Sequence, residues 1–304
     1  MMPRLAILIP SFNCRDTIPE TLRSLDNISE GWDQISSVVV CDDSSTDDTA
    51  NFVASTKWSH FEVKLLRHDQ NQGEGRCYAT MVQTLPADVE WFLILHSDDL
   101  ALPNFLKRNF EIAKSCDEHV AAVSSNYVVF GNGVERLAHE PAEDVIIWRS
   151  DKPEDIEHTA VVGTWWHVSG SLIRRSAWIE QGGRDTTLPQ LGDWDLMLRW
   201  QQAGLLLGHS LLPTTKYRLG STSVSSVSHL KFRDIQERAE VISRHPLVFT
   251  PLRRRRIALS QAVAGLKRAT KLVFQGQPRL ALNGVRVSMA AVRKIIFHTR
   301  DAAR

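Results

Sequence analysis

The chain has little cysteine. Cys14, Cys41, Cys77 and Cys116 lie far apart, without C-x-x-C spacing, in 304 residues. Such spacing argues against a disulfide framework or a zinc site and fits a reducing cytoplasm. Long apolar runs are missing too. None approaches the roughly 18 residues of a membrane span, and the first apolar stretch, residues 5–9, is too short for a secretory signal. It reads as a buried first strand, and the chain as a soluble intracellular protein. No internal repeat or low-complexity segment is visible. Acid is nearly absent from the C-terminal end, where residues 251–304 hold 13 Lys and Arg against the single Asp301. Residues 1–250 hold 23 Lys and Arg against 34 Asp and Glu, so the net charge of +1 hides a body at −11 and a tail at +12. Such segregation suits a tail that meets an anionic partner or docks on its own acidic body.

What is present is a chain that can bury a core, 43% hydrophobic and 23% charged. Its length suits two domains or one large α/β domain with an appendage. Short apolar runs at 5–9, 38–40, 63–66, 91–95 and 121–124 read as strands. Helical spacing lies between them at 18–25, 52–54, 77–84 and 106–114. That alternation predicts crossover units and a mostly parallel sheet. From about Gly131, acids with Pro141 and Pro153 suggest a loop-rich insertion, and order returns at 163–178 and at 194–203, with helical spacing over 197–203. Beyond Pro251 the pattern is helix only. Leu259, Val263, Leu266 and Val273 share one face there, with Lys267, Arg268 and Lys271 on another. Leu282, Val285, Met289, Val292 and Ile296 form a second stripe, and periodicity assigns both stripes to core. The division expected is a catalytic domain over 1–235 and a basic helical appendage over 236–304.

In a parallel α/β sheet the ligand crevice lies beyond the carboxyl ends of the strands. Two acid clusters fall there. The strand at 38–40 runs through Cys41 into Asp42, Asp43, Ser44, Ser45, Thr46, Asp47 and Asp48, and the strand at 91–95 into His96, Ser97, Asp98 and Asp99. Asp47 or Asp48 suits a helix cap, whereas Asp42 and Asp43 come too early for one. Acid clusters converging on one crevice repel unless a cation compensates. A divalent metal with oxygen ligands, Mg²⁺ or Mn²⁺, bridging to substrate phosphates, meets that need.

These residues carry a family resemblance. Ile9, Pro10, Ser11, Phe12 and Asn13, then the acid run from Asp42 to Asp47, then Asn71, Gln72 and Gly73, then Ser97, Asp98 and Asp99 resemble the family 2 inverting glycosyltransferases of GT-A fold. The likeness continues through Gly170 and Ser171, Gly182 and Gly183, and Gly192 to Leu196, and fades after Tyr217 and Arg218. It implies a GT-A type nucleotide-binding domain with a mostly parallel mixed sheet flanked by helices. Pro10, Phe12 and Asn13 would line the nucleotide pocket, and Asp42 and Asp43 would sit at the base and ribose of a nucleotide-sugar. Asn71 and Gly73 would open the loop over the donor. Asp98 would be the metal ligand of the family's D-x-D motif, with Asp99 beside it. Asp193 would be the general base. The segment from Gly163 to Ser171 resembles the acceptor side, where Trp165, Trp166 and Trp194 are candidates to stack on sugar faces.

The chain also departs from the family pattern. His96 stands where the first aspartate of D-x-D is usual, and a neutral imidazole there can bond a ribose or ligate a metal. Gly192 replaces a common glutamate, and Tyr78 stands near a common arginine. Arg76 is placed to supply the missing charge to the diphosphate. A histidine frequent after Tyr217 and Arg218 is missing, and Leu219, Gly220 and Ser221 occupy its region. The activity implied is transfer of a sugar from a nucleoside-diphosphate sugar to a hydroxyl of a glycan or lipid-linked acceptor, at the cytoplasmic face of an anionic membrane that the 251–304 tail would hold. A catalytically inactive, nucleotide-sugar-binding or membrane-associated scaffold of the same fold is the second reading. A sugar-phosphate nucleotidyltransferase would need a glycine-rich loop after the first strand, and residues 11–15 contain no glycine. Nucleic-acid binding through the arginine run 253–256 lacks the aromatic interleaving of single-strand readers.

Overall fold

The computed structural model describes residues 3–140, 142–163, 165–220 and 229–297. Pro141, Thr164, Ser221 and Asp301, used in the sequence reading, lie outside the described residues.

Strand β1 (Arg4–Ser11) is buried along nearly its whole length. A strand covered on both faces needs apolar residues at every position, which is what its run of Leu, Ala and Ile supplies. Leu5, Ile7 and Ile9 pack on one face with α1 (Ile18–Asp26) and α4 (Phe105–Ser115). Ala6 and Leu8 pack on the other with α3 (Glu74–Gln83) and α7 (Gly192–Gln202). Around β1 lie β2 (Ile35–Asp42), β3 (Val63–Arg67) and β4 (Val89–Ile94), in the parallel order β3-β2-β1-β4. Helix α2 (Thr49–Ser55) joins β2 to β3. The sheet then turns mixed. Strand β9 (Leu172–Arg174) runs antiparallel to both β4 and β6 (Val120–Gly131), and β10 (Leu206–Arg218) runs parallel to β6. Three short strands, β5 (Leu100–Ala101), β7 (Val134–Leu137) and β8 (Ile146–Arg149), border these. This is the expected α/β class: a mostly parallel mixed sheet flanked by helices, with a helical C-terminal part.

One sequence expectation needs correction here. The stretch after Gly131 is not mainly loop: it holds β7, β8 and helix α5 (Pro153–Val162), with α6 (Arg175–Glu180) further on. Strand β10, the longest in the sheet, escaped the pattern because Pro213 interrupts it. The interruption is absorbed by register shifts at Ser210, Pro213 and Thr215 against β6, the irregularity that tolerates a proline.

Helices α8 (Arg233–Arg244), α9 (Pro251–Phe274) and α10 (Pro278–Phe297) form a third core with Ala160, Leu188, Trp194 and Leu198. The seam between them is made of small residues. A Cβ on Gly265 would stand 2.2 Å from Ser288 Oγ, and one on Gly284 would stand 2.2 Å from the Phe232 ring. That close approach decides which faces go inside. Ala258, Gly265, Ala269 and Leu272 are buried on α9, and Ala281, Gly284, Ser288, Ala291 and Ile295 on α10. The stripe Leu259, Val263, Leu266 and Val273, assigned to core by its period, is therefore exposed, as are Leu282, Met289 and Ile296. Only Val285 and Val292 of the second stripe pack inward. Helix α8 begins at Arg233, so a boundary at 235 cuts through it, and α8 grips the body. Glu237 Oε2 accepts from Gln190 N and Leu191 N, both at 2.9 Å, and His245 Nε2 lies 3.0 Å from Asp195 Oδ1 of α7.

Candidate active site

The ends of β1, β2 and β4 place the expected residues on one edge of the sheet. Ser11 pairs with Asp42, so the chain leaves β1 and β2 side by side. Asn13, at φ +47°, binds its neighbour loop: its Oδ1 accepts from Thr46 N at 2.8 Å, and its N donates to Ser45 Oγ at 2.8 Å. Pro10 is buried beneath this turn, while Phe12 stands 47% exposed on its rim. Asp42 is fully buried, with Oδ2 accepting from Ser45 N at 3.1 Å and 3.3 Å from Arg67 Nε. Asp43 holds the loop before α3. Its Oδ1 accepts from Gln72 N at 2.9 Å and its Oδ2 from Gly73 N at 2.7 Å, with His68 Nδ1 2.7 Å from Oδ1. The two acids thus set the shape of the loops. Asp48 is the N-cap of α2 but makes no side-chain cap bond, and Asp47 Oδ1, one residue earlier, accepts from Thr49 N at 3.0 Å. Asn71 is exposed, and so is Arg76, whose guanidinium makes no ion pair among the described residues.

A second group lies below, and it includes residues that sequence reasoning missed. Glu74, in the first turn of α3, takes three partners. Its Oε1 accepts from Tyr78 OH at 2.7 Å and lies 3.0 Å from His96 Nε2, and its Oε2 accepts from Arg184. Tyr78 OH is itself 3.1 Å from His96 Nε2. Tyr78 and His96, two departures from the family pattern, are therefore in contact and share one carboxylate. Burial opposes charge on His96, but the Glu74 carboxylate, then Asp99 and Asp98, raise its pKa to about 9. The Glu74 carboxylate therefore favours the charged form of His96. The ring's Nε2 faces Glu74, while its Nδ1 lies 3.9 Å from Asp99 Oδ2. Glu74 stays ionised in spite of burial, held far below the usual carboxylate range by Arg184 and His96.

Asp99 is fully buried, its Oδ1 accepting from Arg218 N at 2.9 Å. Its Oδ2 has no hydrogen-bond partner among the described residues and lies 3.9 Å from His96 Nδ1 and 4.0 Å from His167 Nε2. Burial, together with Asp98, raises its pKa to about 6 against the opposing charge of His96. His167 is stacked on Tyr127 at 4.1 Å, and burial beside three other imidazoles lowers its pKa to about 3. Ligand atoms of His96, Asp98 and Asp99 all lie within 4.8 Å of one another. The orphaned Asp99 oxygen and the neighbouring Asp98 carboxylate fit a hard divalent cation.

Asp193 sits in the first turn of α7, mostly buried, with Oδ1 accepting from Trp194 N at 2.8 Å. Burial raises its pKa, against the pull of the nearby Arg184 and with the push of Glu74. Arg184 thus acts electrostatically on the Asp193 carboxylate while pairing with Glu74. The residue types that would have revealed this stand beside motifs already noticed: Glu74 follows Gly73, and Arg184 follows Gly182 and Gly183. On the acceptor side, the fully buried Trp194 donates Nε1 to Thr159 O, and Trp166 packs against Trp200 in the core. Neither presents a face to a sugar, which corrects that expectation. Trp165 is half-buried beneath the Arg149 guanidinium.

Strand-end loops, an acid cluster at the end of β4 and a buried acid heading α7 make up the candidate site. The sequence model of glycosyl transferase family 2 matches residues 6–178, and the chain belongs to that family. It is 24% identical over 243 residues to the Escherichia coli UDP-Glc:alpha-D-GlcNAc-diphosphoundecaprenol beta-1,3-glucosyltransferase WfaP, spanning 79% of this chain and 86% of that one. It is 23% identical over 233 residues to an uncharacterized glycosyltransferase of Haemophilus influenzae, spanning 74% and 71%. Among solved structures it shares its fold with S. aureus TarS 1–349 in complex with UDP-GlcNAc (TM-score 0.58, 15% identity, 96% of this chain and 90% of that one). The mannosyltransferase PcManGT from Pyrobaculum calidifontis, in complex with GDP-Man and Mn²⁺, is similarly alike (TM-score 0.57, 16% identity, 96% and 74%).

Proposed function

We propose that this glycosyltransferase moves a sugar from a nucleoside-diphosphate sugar to a hydroxyl of a glycan or lipid-linked acceptor, with inversion at the anomeric carbon and Asp193 as general base. The observation that carries this reading is the position of Asp193, buried in the first turn of α7 within the field of Arg184 and Glu74, which in turn contacts His96 of the acid cluster. The donor class is supported by the UDP- and GDP-sugars named with the relatives, and the lipid-linked acceptor by the Escherichia coli enzyme's name.

Inversion is one displacement. The acceptor oxygen attacks the anomeric carbon as Asp193 takes its proton, and the bond to the diphosphate breaks with its electron pair leaving on the phosphate oxygen. A base of raised pKa accepts that proton more readily than an ordinary carboxylate. Positive charge must meet the departing diphosphate. His96 in its charged form and the Arg76 guanidinium, which pairs with no acid among the described residues, supply it from this chain. A divalent metal held by Asp98 and Asp99 would add Lewis-acid stabilisation of the same oxygens. Phe12, exposed at the rim, offers a face for the nucleobase, beside Pro10 and Asn13. Asp42, Asp43, Asn71 and Gly73 form and hold the loops that close over it. Trp165 is the remaining acceptor-side candidate.

The test is incubation with UDP-Glc, UDP-GlcNAc and GDP-Man plus a polyprenyl-diphosphate-linked sugar, following diphosphate release and the product's anomeric configuration by NMR. Inverted product supports the reading. Retained configuration would overturn the single displacement and remove Asp193 from its role.

A further inference from the structure

We propose that the exposed face of the α9–α10 hairpin is a docking surface for an anionic lipid bilayer. Helix α9 carries Leu252, Leu259, Leu266 and Val273 at a spacing of seven residues, with Val263 between them, and all five are exposed. Helix α10 carries Leu282, Met289 and Ile296 at the same spacing, likewise exposed. Phe274 and Phe297, at the two C-terminal ends, are 86% and 74% exposed. At about 100° per residue, Leu259, Leu266 and Val273 each follow a buried residue (Ala258, Gly265, Leu272), so the α9 stripe lies about 100° around the helix from the buried face. A helix that buries small residues and exposes its large ones has its apolar face turned away from its own core.

Charge selects the occupant. Seven basic residues of the hairpin are exposed and form no ion pair among the described residues: Arg255, Arg256, Lys267, Lys271, Arg279, Arg286 and Arg293. Residues 251–297 contain no acid to offset them. By angle these cations flank the apolar stripes, as in a helix lying at a lipid interface with its basic residues at the headgroups. The remaining basic residues are used internally. Arg253 pairs with Glu157, Arg268 forks onto Asp234 at 2.7 and 2.8 Å, and Lys294 pairs with Glu240. Arg254 is buried, donating to Phe249 O at 2.6 Å. These four orient the hairpin on the body and leave the other seven outward.

A second copy of the chain suits this face less well. Two such faces opposed would set cation against cation. A coiled-coil partner would also need a second apolar position in each heptad, and the residues three and four after each stripe leucine are Arg255 and Arg256, Ala262 and Val263, and the buried Ala269 and Thr270. A bilayer imposes no such register. Among the described residues no helix is long and apolar enough to cross a membrane, so the contact proposed is interfacial.

The test uses the full chain, since removing the hairpin would uncover the core shared with α7 and α8. Co-sedimentation with phosphatidylcholine vesicles is compared with vesicles containing phosphatidylglycerol at about one third of the lipid. Binding is expected to the anionic vesicles, with loss of roughly tenfold in affinity or more as salt rises. The triple variant Leu259→Ser, Leu266→Ser, Met289→Ser is expected to abolish it, and Arg256→Gln with Lys267→Gln and Lys271→Gln to weaken it at least tenfold. Circular dichroism and donor-nucleotide binding serve as controls that the variants are folded. Equal binding of neutral and anionic vesicles, no binding at low salt, or a concentration-dependent dimer that the leucine variants dissolve would each overturn the proposal. Because the readout is vesicle binding, its failure leaves the catalytic reading untouched.

Discussion

At the scale of single residues, the site depends on charges that face one another across long stretches of sequence. Asp193→Asn keeps the side chain's shape but cannot take the acceptor proton. Turnover is expected to fall about 10²–10⁴-fold, the worth of a positioned acid–base group, while nucleoside diphosphate binding by calorimetry stays within about threefold of wild type. Unchanged turnover would move the base elsewhere. Glu74→Gln tests the network behind it. The Glu74 charge raises the Asp193 pKa, and the Arg184 charge lowers it. Without the Glu74 carboxylate, Arg184 acts on Asp193 unopposed, so the acidic limb of the pH–kcat profile should move to lower pH and the plateau should drop as the base weakens. A limb that stays in place would mean that Glu74 and Asp193 do not communicate. Asp98, His96 and Asp193 were legible because each falls inside a local motif. Glu74 and Arg184 were not, because their meaning is a contact between residues 110 positions apart.

At the scale of elements, legibility followed how each element buries its surface. Strands β1, β2 and β4 are covered on both faces, so each shows as a short continuous apolar run. Strand β10 has a proline and register shifts within it, and no local period survives them. The tail helices carried a clear period, but it marked the wrong face. Glycine, alanine and serine make the inter-helix seam, and periodicity of large residues says nothing about which side of a helix is close-packed. The contact between α8 and α7 was invisible as well, although it supports the site. Among the described residues, Glu237 accepts from both Gln190 N and Leu191 N, immediately before the helix that begins at Gly192. Glu237→Ala should leave both N–H groups without that partner, at a cost of about 1–3 kcal/mol in urea unfolding. It should also lower kcat more than donor KM changes, because the head of α7 carries Asp193. Loss of stability with kcat intact would confine Glu237 to a structural role.

At the scale of the whole molecule, the charge asymmetry divides into two uses: some tail cations pair with the acidic body, and the rest face outward. Stability against acid depends on groups kept neutral inside. His209, on β10, is buried with Nδ1 2.7 Å from Ser124 Oγ, facing His139, Trp165 and Arg149. Burial, with the charges of His139 and Arg149, lowers its pKa from 6.5 to about 4. In the unfolded chain the same imidazole takes a proton near pH 6.5, so below that pH the unfolded state binds a proton that the folded state refuses. The His209 contribution is therefore complete above pH 6.5 and is lost progressively as pH falls toward 4. Each pH unit within that window is worth about 1.4 kcal/mol. Glutamine is close in size, can bond Ser124 and does not titrate. Between pH 7 and pH 5, His209→Gln should lose about 2 kcal/mol less unfolding free energy than the wild-type chain. Urea titrations at the two pH values measure the difference directly. Parallel losses in the two proteins would show that the β10 imidazole takes its proton as readily folded as unfolded, and that the Ser124 pocket is open to water.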